Sequence, residues 1–375
     1  MRPVTAAERV VPIDTLRGAA LGGVLIVNLL TGFRAPLSAH ILGADEPLGW
    51  GGSLLLSLVG AFVEFKAFTL FSFLFGVGVA IQAERADRST YFLLRRFGAL
   101  LGFGLFHMVF VWNGDILVLY AICGLFLIPL LRLPAYFLAA LGLLLIGTPY
   151  MAPLPVPFPS HTTLSELTAG ALHAYRTAGW HELQAFRWRE TELLIAPLLL
   201  LSFPKTLGLM LWGVAGWRCR LLGGNRRLWG WIVVAGGTIG LMGLLIRSEQ
   251  MATIPLAFAY GAAILLWNPH APWMAAAGQM ALTNYLTQSI VFGFVFYGYG
   301  FGWFASLGVG ATLAGGAVFY CTQMAWSRWW LGRFHFGPFE WLWRSVSYLQ
   351  WQPFRREDAL AYSLPESRRR GPGRE

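Results

Sequence analysis

Residues 54–82 read LLLSLVGAFVEFKAFTLFSFLFGVGVAIQ, in which Glu64 and Lys66 are the only ionisable side chains. A helix needs about 20 mostly apolar residues to cross the hydrocarbon of a bilayer, and this run exceeds that length. Comparable runs cover residues 15–32, 97–112, 116–131, 133–151, 193–217, 228–246, 253–267, 281–303 and 304–326. The pattern predicts an all-α, polytopic membrane bundle of about ten transmembrane helices. Composition agrees: 12% of the residues are charged and 56% hydrophobic, where a soluble domain carries about 25% charged residues.

The net charge of +10 does not point to nucleic acid, because the basic residues sit in short loops between apolar runs. That arrangement sets orientation in a membrane, so membrane lipids are the expected partners. With the N-terminus inside and every run crossing, twenty-one arginines fall inside and five outside, while Lys66 and Lys205 stay within spans. Both termini are thus expected in the cytoplasm. Arg2 and Arg9 precede the first apolar run without a convincing cleavage site after it, which predicts a retained helix. Residues 1–350 read as one transmembrane domain, with 153–192 as an extracytoplasmic loop. Within 327–350, Trp329, Trp330, Trp341 and Trp343 interleave with Arg333 and Arg344, as in a helix lying at a membrane interface. The basic stretch 351–375 reads as a disordered tail. Three cysteines at unrelated spacings, Cys123, Cys219 and Cys321, suggest neither a disulfide framework nor a metal site.

Ionisable groups inside a bilayer cost about 2.5–3.5 kcal/mol each on insertion scales, so those present need a reason. Lys66 lies in the second span, and Lys205 follows Pro204 in the sixth; each either lines a cavity or makes a structural pair. In the first span Asp14, Arg17, Leu21, Val24 and Asn28 share one helical stripe, with Asp14 placed to act as an N-cap. Arg17 could equally reach lipid headgroups. His107 is the one histidine inside a span, and Asp115 follows it across the short turn Asn113-Gly114-Asp115. A histidine beside a carboxylate can act as a general base near neutral pH; the alternative is an interhelical hydrogen bond with Asp115 as a plain cap. Asn284, Thr287 and Gln288 form a polar face at helical spacing, either as glue between helices or as a cavity lining.

Taken in order, Asp14 to Gly18 (DTLRG) with Asn28, Lys66 to Gly78 (KAFTLFSFLFGVG), Gly104 to Ala121 (GLFHMVFVWNGDILVLYA), Gly278 to Gln288 (GQMALTNYLTQ) and Gly337 to Arg344 (GPFEWLWR) resemble the signatures of the YeiB family of bacterial inner-membrane proteins. The resemblance implies a multi-pass protein of the bacterial inner (cytoplasmic) membrane. That family's first helix is similar to the one in lysosomal heparan-α-glucosaminide N-acetyltransferase and related transmembrane acyltransferases. This implies acyl transfer from cytosolic acyl-CoA, acetyl-CoA foremost, to an extracytoplasmic acceptor such as an envelope sugar or glycan, without a metal. In the lysosomal enzyme an asparagine near the outer end of the first helix precedes the active histidine by about a dozen residues, and Asn28 and His40 have nearly that spacing. The intervening residues, Leu29 to Ala39, do not otherwise match.

The reading these observations favour is a membrane acyltransferase. Arg17, Arg95 and Arg96 would attract the anionic donor. Asn28, Lys66 and Asn284 would line the thioester cavity. His107, oriented by Asp115, would take the acceptor proton, with His40 as the rival base, and Asn28 or Asn284 would stabilise the oxyanion. The competing reading is a transporter or lipid-handling protein, against which stand the lack of an evident internal repeat and of a carboxylate chain through the spans. A structural scaffold is a third reading. A homo-oligomer is compatible with all three.

Overall fold

Away from water, backbone groups must be satisfied inside the chain, and helices do this locally. The computed structural model describes residues 10–43, 48–85, 90–151, 156–223 and 225–356; Arg2, Arg9, Arg88 and the part of the expected tail beyond residue 356 lie outside them. The first half contains α1 (Val11–Asn28), α2 (Leu37–Leu42), α3 (Trp50–Phe62), α4 (Lys66–Arg85), α5 (Thr90–Phe106), α6 (Leu117–Leu130) and α7 (Ala135–Met151). Then come α8 (His161–Thr177), α9 (Trp180–Glu190), α10 (Ala196–Arg218), α11 (Arg226–Leu245) and α12 (Glu249–Trp267). The chain closes with α13 (Pro272–Gln279), α14 (Ala281–Phe296), α15 (Val309–Leu331) and α16 (Pro338–Tyr348). Among the described residues the only β pairing is an isolated bridge between Phe334 and Arg355.

Six helical runs are long and apolar enough to cross a membrane: Val11–Phe33, Trp50–Arg85, Thr90–Val111, Trp180–Arg218, Arg226–Leu245 and Glu249–Trp267. Three more, Leu117–Leu130, Ala135–Thr148 and Ala281–Phe296, are apolar but shorter. The tenth expected span corresponds to α15, which is long enough but less apolar than those six.

Two pairs of glycines set how close the central helices come. A Cβ on Gly18 of α1 would collide with the carbonyl of Met274 in α13, and one on Gly278 of α13 with the carbonyl of Asp14. Gly76 of α4 and Gly213 of α10 face each other's backbones, at Met210 and Phe73, in the same way. Small residues permit such backbone contact between membrane helices. It clamps α1 against α13 and α4 against α10, around a shared interior.

Several local expectations need correction. Asp14 is not an N-cap: α1 begins at Val11 after Val10, and the Asp14 carboxylate instead accepts a hydrogen bond from Arg17 at 3.1 Å. The segment 153–192 is not a plain loop, since it contains α8 and α9 and runs on into α10. The expected tail is structured at its start: Trp351 stacks on Trp341, and the Gln352 carbonyl accepts from the Trp341 indole at 2.8 Å. Within 327–350, α16 does more than lie on a surface, since the Trp343 indole donates to the Arg96 carbonyl at 2.7 Å and its Ser345 and Ser347 are buried.

Candidate functional site

At the end of the bundle where α1 begins, α1, α4, α5, α6, α13, α14 and α16 line a cavity of about 290 Å³. Four helices contribute one arginine each: Arg17, Arg85, Arg96 and Arg344. Arg17 fits because Gly78 of α4 has no side chain; a Cβ there would meet Arg17 Nη2 at 2.8 Å. The Arg96 guanidinium lies 3.6 Å above the Trp343 ring, a cation–π arrangement. Arg17 and Arg344 are close enough for their charge to act on it. Asp14 and Glu340 are the lining carboxylates. Glu340 is held by α14: one oxygen accepts from the Thr283 amide at 2.9 Å and the other from the Thr283 hydroxyl at 2.5 Å. Burial pushes its carboxyl above the ordinary range, while those hydrogen bonds pull it back.

Beyond the arginines the cavity is lined by aliphatic and aromatic side chains, among them Leu21, Phe75 and Tyr120, and reaches Val24, Ile116, Leu117 and Tyr285. Arg17 and Val24 are seven residues apart, about 10 Å along the helix. The Tyr120 hydroxyl bonds Ser72 at 2.7 Å. Behind Tyr285, at 5.2 Å between ring centroids, lies His107. It is fully buried, as is Asp115, and Nδ1 meets Asp115 Oδ2 at 2.7 Å. Asp115 also caps α6, because Oδ1 accepts from the Val118 amide at 2.8 Å at the start of that helix. Among the described residues the His107 Nε2 has no hydrogen-bond partner. Nδ1 is committed to the carboxylate, so Nε2 is the nitrogen left for a reacting group.

His107 opens a π turn, His107–Val111, closed by the Trp112 amide donating to the His107 carbonyl at 2.8 Å. A second π turn, Leu29–Phe33, follows Asn28, and a third, Thr191–Ile195, follows Glu190. Such turns are frequent at functional sites. The first two pack together, with Trp112 and Phe33 rings 4.5 Å apart.

A second cavity, of about 350 Å³, lies at the opposite end of α1, between that helix, α2 and α3. It is lined by Val27, Thr31, Arg34, Ser57 and a hydrogen-bonded pair, His40 and Glu64, 2.7 Å apart. One cavity reaches Val24 and the other begins at Val27, so less than one turn of α1 separates their nearest lining residues on that helix.

The expected residues therefore fall into groups. Arg17 and Arg96 share the arginine-lined cavity, whereas Arg95 is exposed and outside it. His107 and Asp115 meet, behind the cavity wall rather than on its surface. His40 stands in the other cavity. Asn28 is half-buried at the junction of α1 with its π turn and lines neither. Lys66 was expected in the thioester cavity, but its ammonium donates to the Gly60 carbonyl at 3.0 Å. That bond closes a helix break at Phe65, whose φ is 58°, by capping a carbonyl the break frees. Lys205 lies over the Phe65 ring at 5.5 Å. Asn284 is interhelical glue: it donates to Ser327 Oγ at 2.9 Å and to the Ala277 carbonyl at 3.1 Å, with Gln288 bonded to Gln323 beside it. Sequence reasoning missed Arg85, Arg344 and Glu340 as cavity residues, although Arg344 and Glu340 stand inside the quoted stretch 337–344. Among the described residues no three His, Cys, Asp or Glu side chains are grouped to hold a metal.

Residues 217–350 match the family model described as "Protein of unknown function (DUF418)". The uncharacterized protein YxaH of Bacillus subtilis (strain 168) is 30% identical over 407 residues, covering 95% of this chain and 98% of the relative. The uncharacterized protein YeiB of Escherichia coli (strain K12) is 28% identical over 386 residues, covering 91% and 96%. A 39.9 kDa protein of Bacillus acidopullulyticus, from the amylase 3' region, is 28% identical over 367 residues, covering 93% and 96%. No solved structure matches the chain.

Proposed function

This chain belongs to the YeiB family, and we propose that it is a membrane acyltransferase of the bacterial inner membrane, taking an acyl group from cytosolic acyl-CoA to an acceptor on the other side. In this proposal the chain crosses about ten times with both termini in the cytoplasm, the orientation favoured by its arginine distribution. The observation that supports the reading is the pair of cavities toward opposite ends of α1, whose nearest lining residues on that helix, Val24 and Val27, lie within one turn. An acyl group moving between compartments needs a donor pocket on one side and an acceptor pocket on the other.

The arginine-lined cavity suits the donor. Guanidiniums held close together repel one another, and a polyanion relieves that repulsion while gaining charge-assisted hydrogen bonds. The nucleotide and its phosphates would engage Arg17, Arg85, Arg96 and Arg344, and the apolar barrel beyond would take the pantetheine arm. The thioester would then sit near Tyr285, and rotation of that side chain would open His107 Nε2 to it. The acceptor, a hydroxyl or amine of an envelope sugar, would enter the far cavity beside His40 and Glu64. Its oxygen or nitrogen bonds the acyl carbon as the carbon–sulfur bond breaks; the displaced proton passes to a histidine and from there to the departing thiolate. His107 is the leading base, since its buried carboxylate partner fixes the ring and supports the imidazolium.

The test is calorimetric binding of acetyl-CoA to the detergent-purified protein, with dephospho- and desulfo-CoA controls. Saturable binding, weakened by Arg17→Ala and Arg96→Ala, is expected. No binding of acetyl-CoA at millimolar concentration, nor of longer acyl-CoAs, would sink the reading. Opposed cavities on one helix also suit a solute carrier; uptake into proteoliposomes without release of free CoA would favour that instead.

A further inference from the structure

The stretch 153–192 holds none of the sequence signatures, yet it grips the segment that carries His107 and Asp115 at two points. A π turn displaces backbone carbonyls from regular helical bonding. In His107–Val111 one of these, the Val109 carbonyl, accepts from Gln184 Nε2 of α9 at 2.6 Å. At the other end of the segment, two residues before Asp115, Asn113 Nδ2 donates to Glu190 Oε2 at 2.8 Å. The same oxygen accepts from the Tyr175 hydroxyl of α8 at 2.6 Å. Asn113 and Glu190 are buried. Just past the second anchor, a Cβ at Gly114 would collide with the Trp112 ring, and Trp112 is packed on Phe33.

We infer that Gln184 and Glu190 are positioning residues for the His107–Asp115 pair, with α9 fixing both ends of the turn on which the pair is built. Neither touches His107 or Asp115. They act through the Val109 carbonyl and Asn113, so that the imidazole and carboxylate arrive at 2.7 Å already oriented. One oxygen of Glu190 accepts from Asn113 and Tyr175 together, which uses both of its lone pairs. The inference rests on the acyl-transfer reading only for its kinetic consequence; the geometric part stands without it.

The experiment compares the full-length wild type with Glu190→Ala, Gln184→Ala and the conservative variant Glu190→Gln, whose amide oxygen still accepts from Asn113 and Tyr175. The first readout is modification of His107 by diethyl pyrocarbonate, followed by mass spectrometry, with His40 as the internal reference. Wild-type His107 is expected to be protected. Glu190→Ala and Gln184→Ala should each raise its modification rate at least fivefold while leaving that of His40 unchanged, and Glu190→Gln should keep protection to within twofold of wild type. The second readout is acetyl transfer, in which Glu190→Ala should lower kcat at least tenfold with acetyl-CoA Kd within twofold of wild type. Unchanged protection of His107 in both alanine variants overturns the inference, as does a Glu190→Gln variant no better protected than Glu190→Ala. Protection lost in the alanine variants of a protein that never binds acetyl-CoA would leave the clamp standing and remove the acyltransferase reading.

Discussion

His107 meets Asp115 at 2.7 Å, and His40 meets Glu64 at the same distance, yet the two pairs sit in different surroundings. The first has no exposed side-chain surface, and its carboxylate also caps α6; the second leaves 44% of its histidine side chain open, beside a polar cavity. A hydrogen bond of one length thus describes two devices. Burial without competing water fixes the His107 ring. Exposure lets His40 meet a ligand directly but leaves its charge screened. What separates the two pairs is the surrounding packing.

The largest effect expected is for His107→Ala, which should lower the rate of acetyl transfer by about 10²–10⁴-fold while acetyl-CoA still binds by calorimetry. His40→Ala should lower it less and act mainly on acceptor KM; the reverse ranking would exchange the two roles. Asp115→Asn should cost roughly 10²-fold or more, because the amide can still cap Val118 but presents donors to His107 Nδ1. Equal rates in Asp115→Asn and wild type would leave Asp115 as a cap alone. Arg344→Ala should weaken acetyl-CoA binding by about tenfold or more, as expected for loss of a charge-assisted hydrogen bond worth about 1.5–3 kcal/mol, whereas Arg95→Ala should leave Kd unchanged. The smallest functional effect should come from Lys66→Met: donor affinity is unaltered, while thermal unfolding in detergent moves to lower temperature as the Gly60 carbonyl loses its partner, a change of about 1–3 kcal/mol. A large rise in acetyl-CoA Kd there would return Lys66 to the site.

The membrane character was legible because hydropathy is a property of composition along the chain, and the apolar runs at 54–82 and 193–217 need no partner to be recognised. The His107–Asp115 contact was legible because eight residues and one short turn connect them. Lys66 and Asn284 misled for a shared reason. Periodicity reveals that a polar side chain lies inside the bundle, but not whether a carbonyl or a hydroxyl on another element already satisfies it. Arg344 and Glu340 were hidden by the opposite problem. Tryptophans interleaved with arginines mark an interface, while the fold brings that helix back against α5 and α14. Glu190 and Gln184 gave no signal, since their partners are 77 and 75 residues away in a stretch without a motif.

The arginine-lined cavity is bounded by residues near Val10 at one end of the chain and Tyr348 at the other. A membrane protein enters the bilayer segment by segment as it leaves the ribosome, so this chamber lacks a wall until α16 follows the other lining helices. Until α16 emerges and Glu340 takes hold of Thr283, the guanidiniums of Arg17, Arg85 and Arg96 face an incomplete pocket. A chain stopped after Leu331 would insert its earlier helices and still lack the contact that closes the pocket. Closure of the pocket therefore waits for α16, and a chain halted between α15 and α16 would hold its earlier helices around an open chamber.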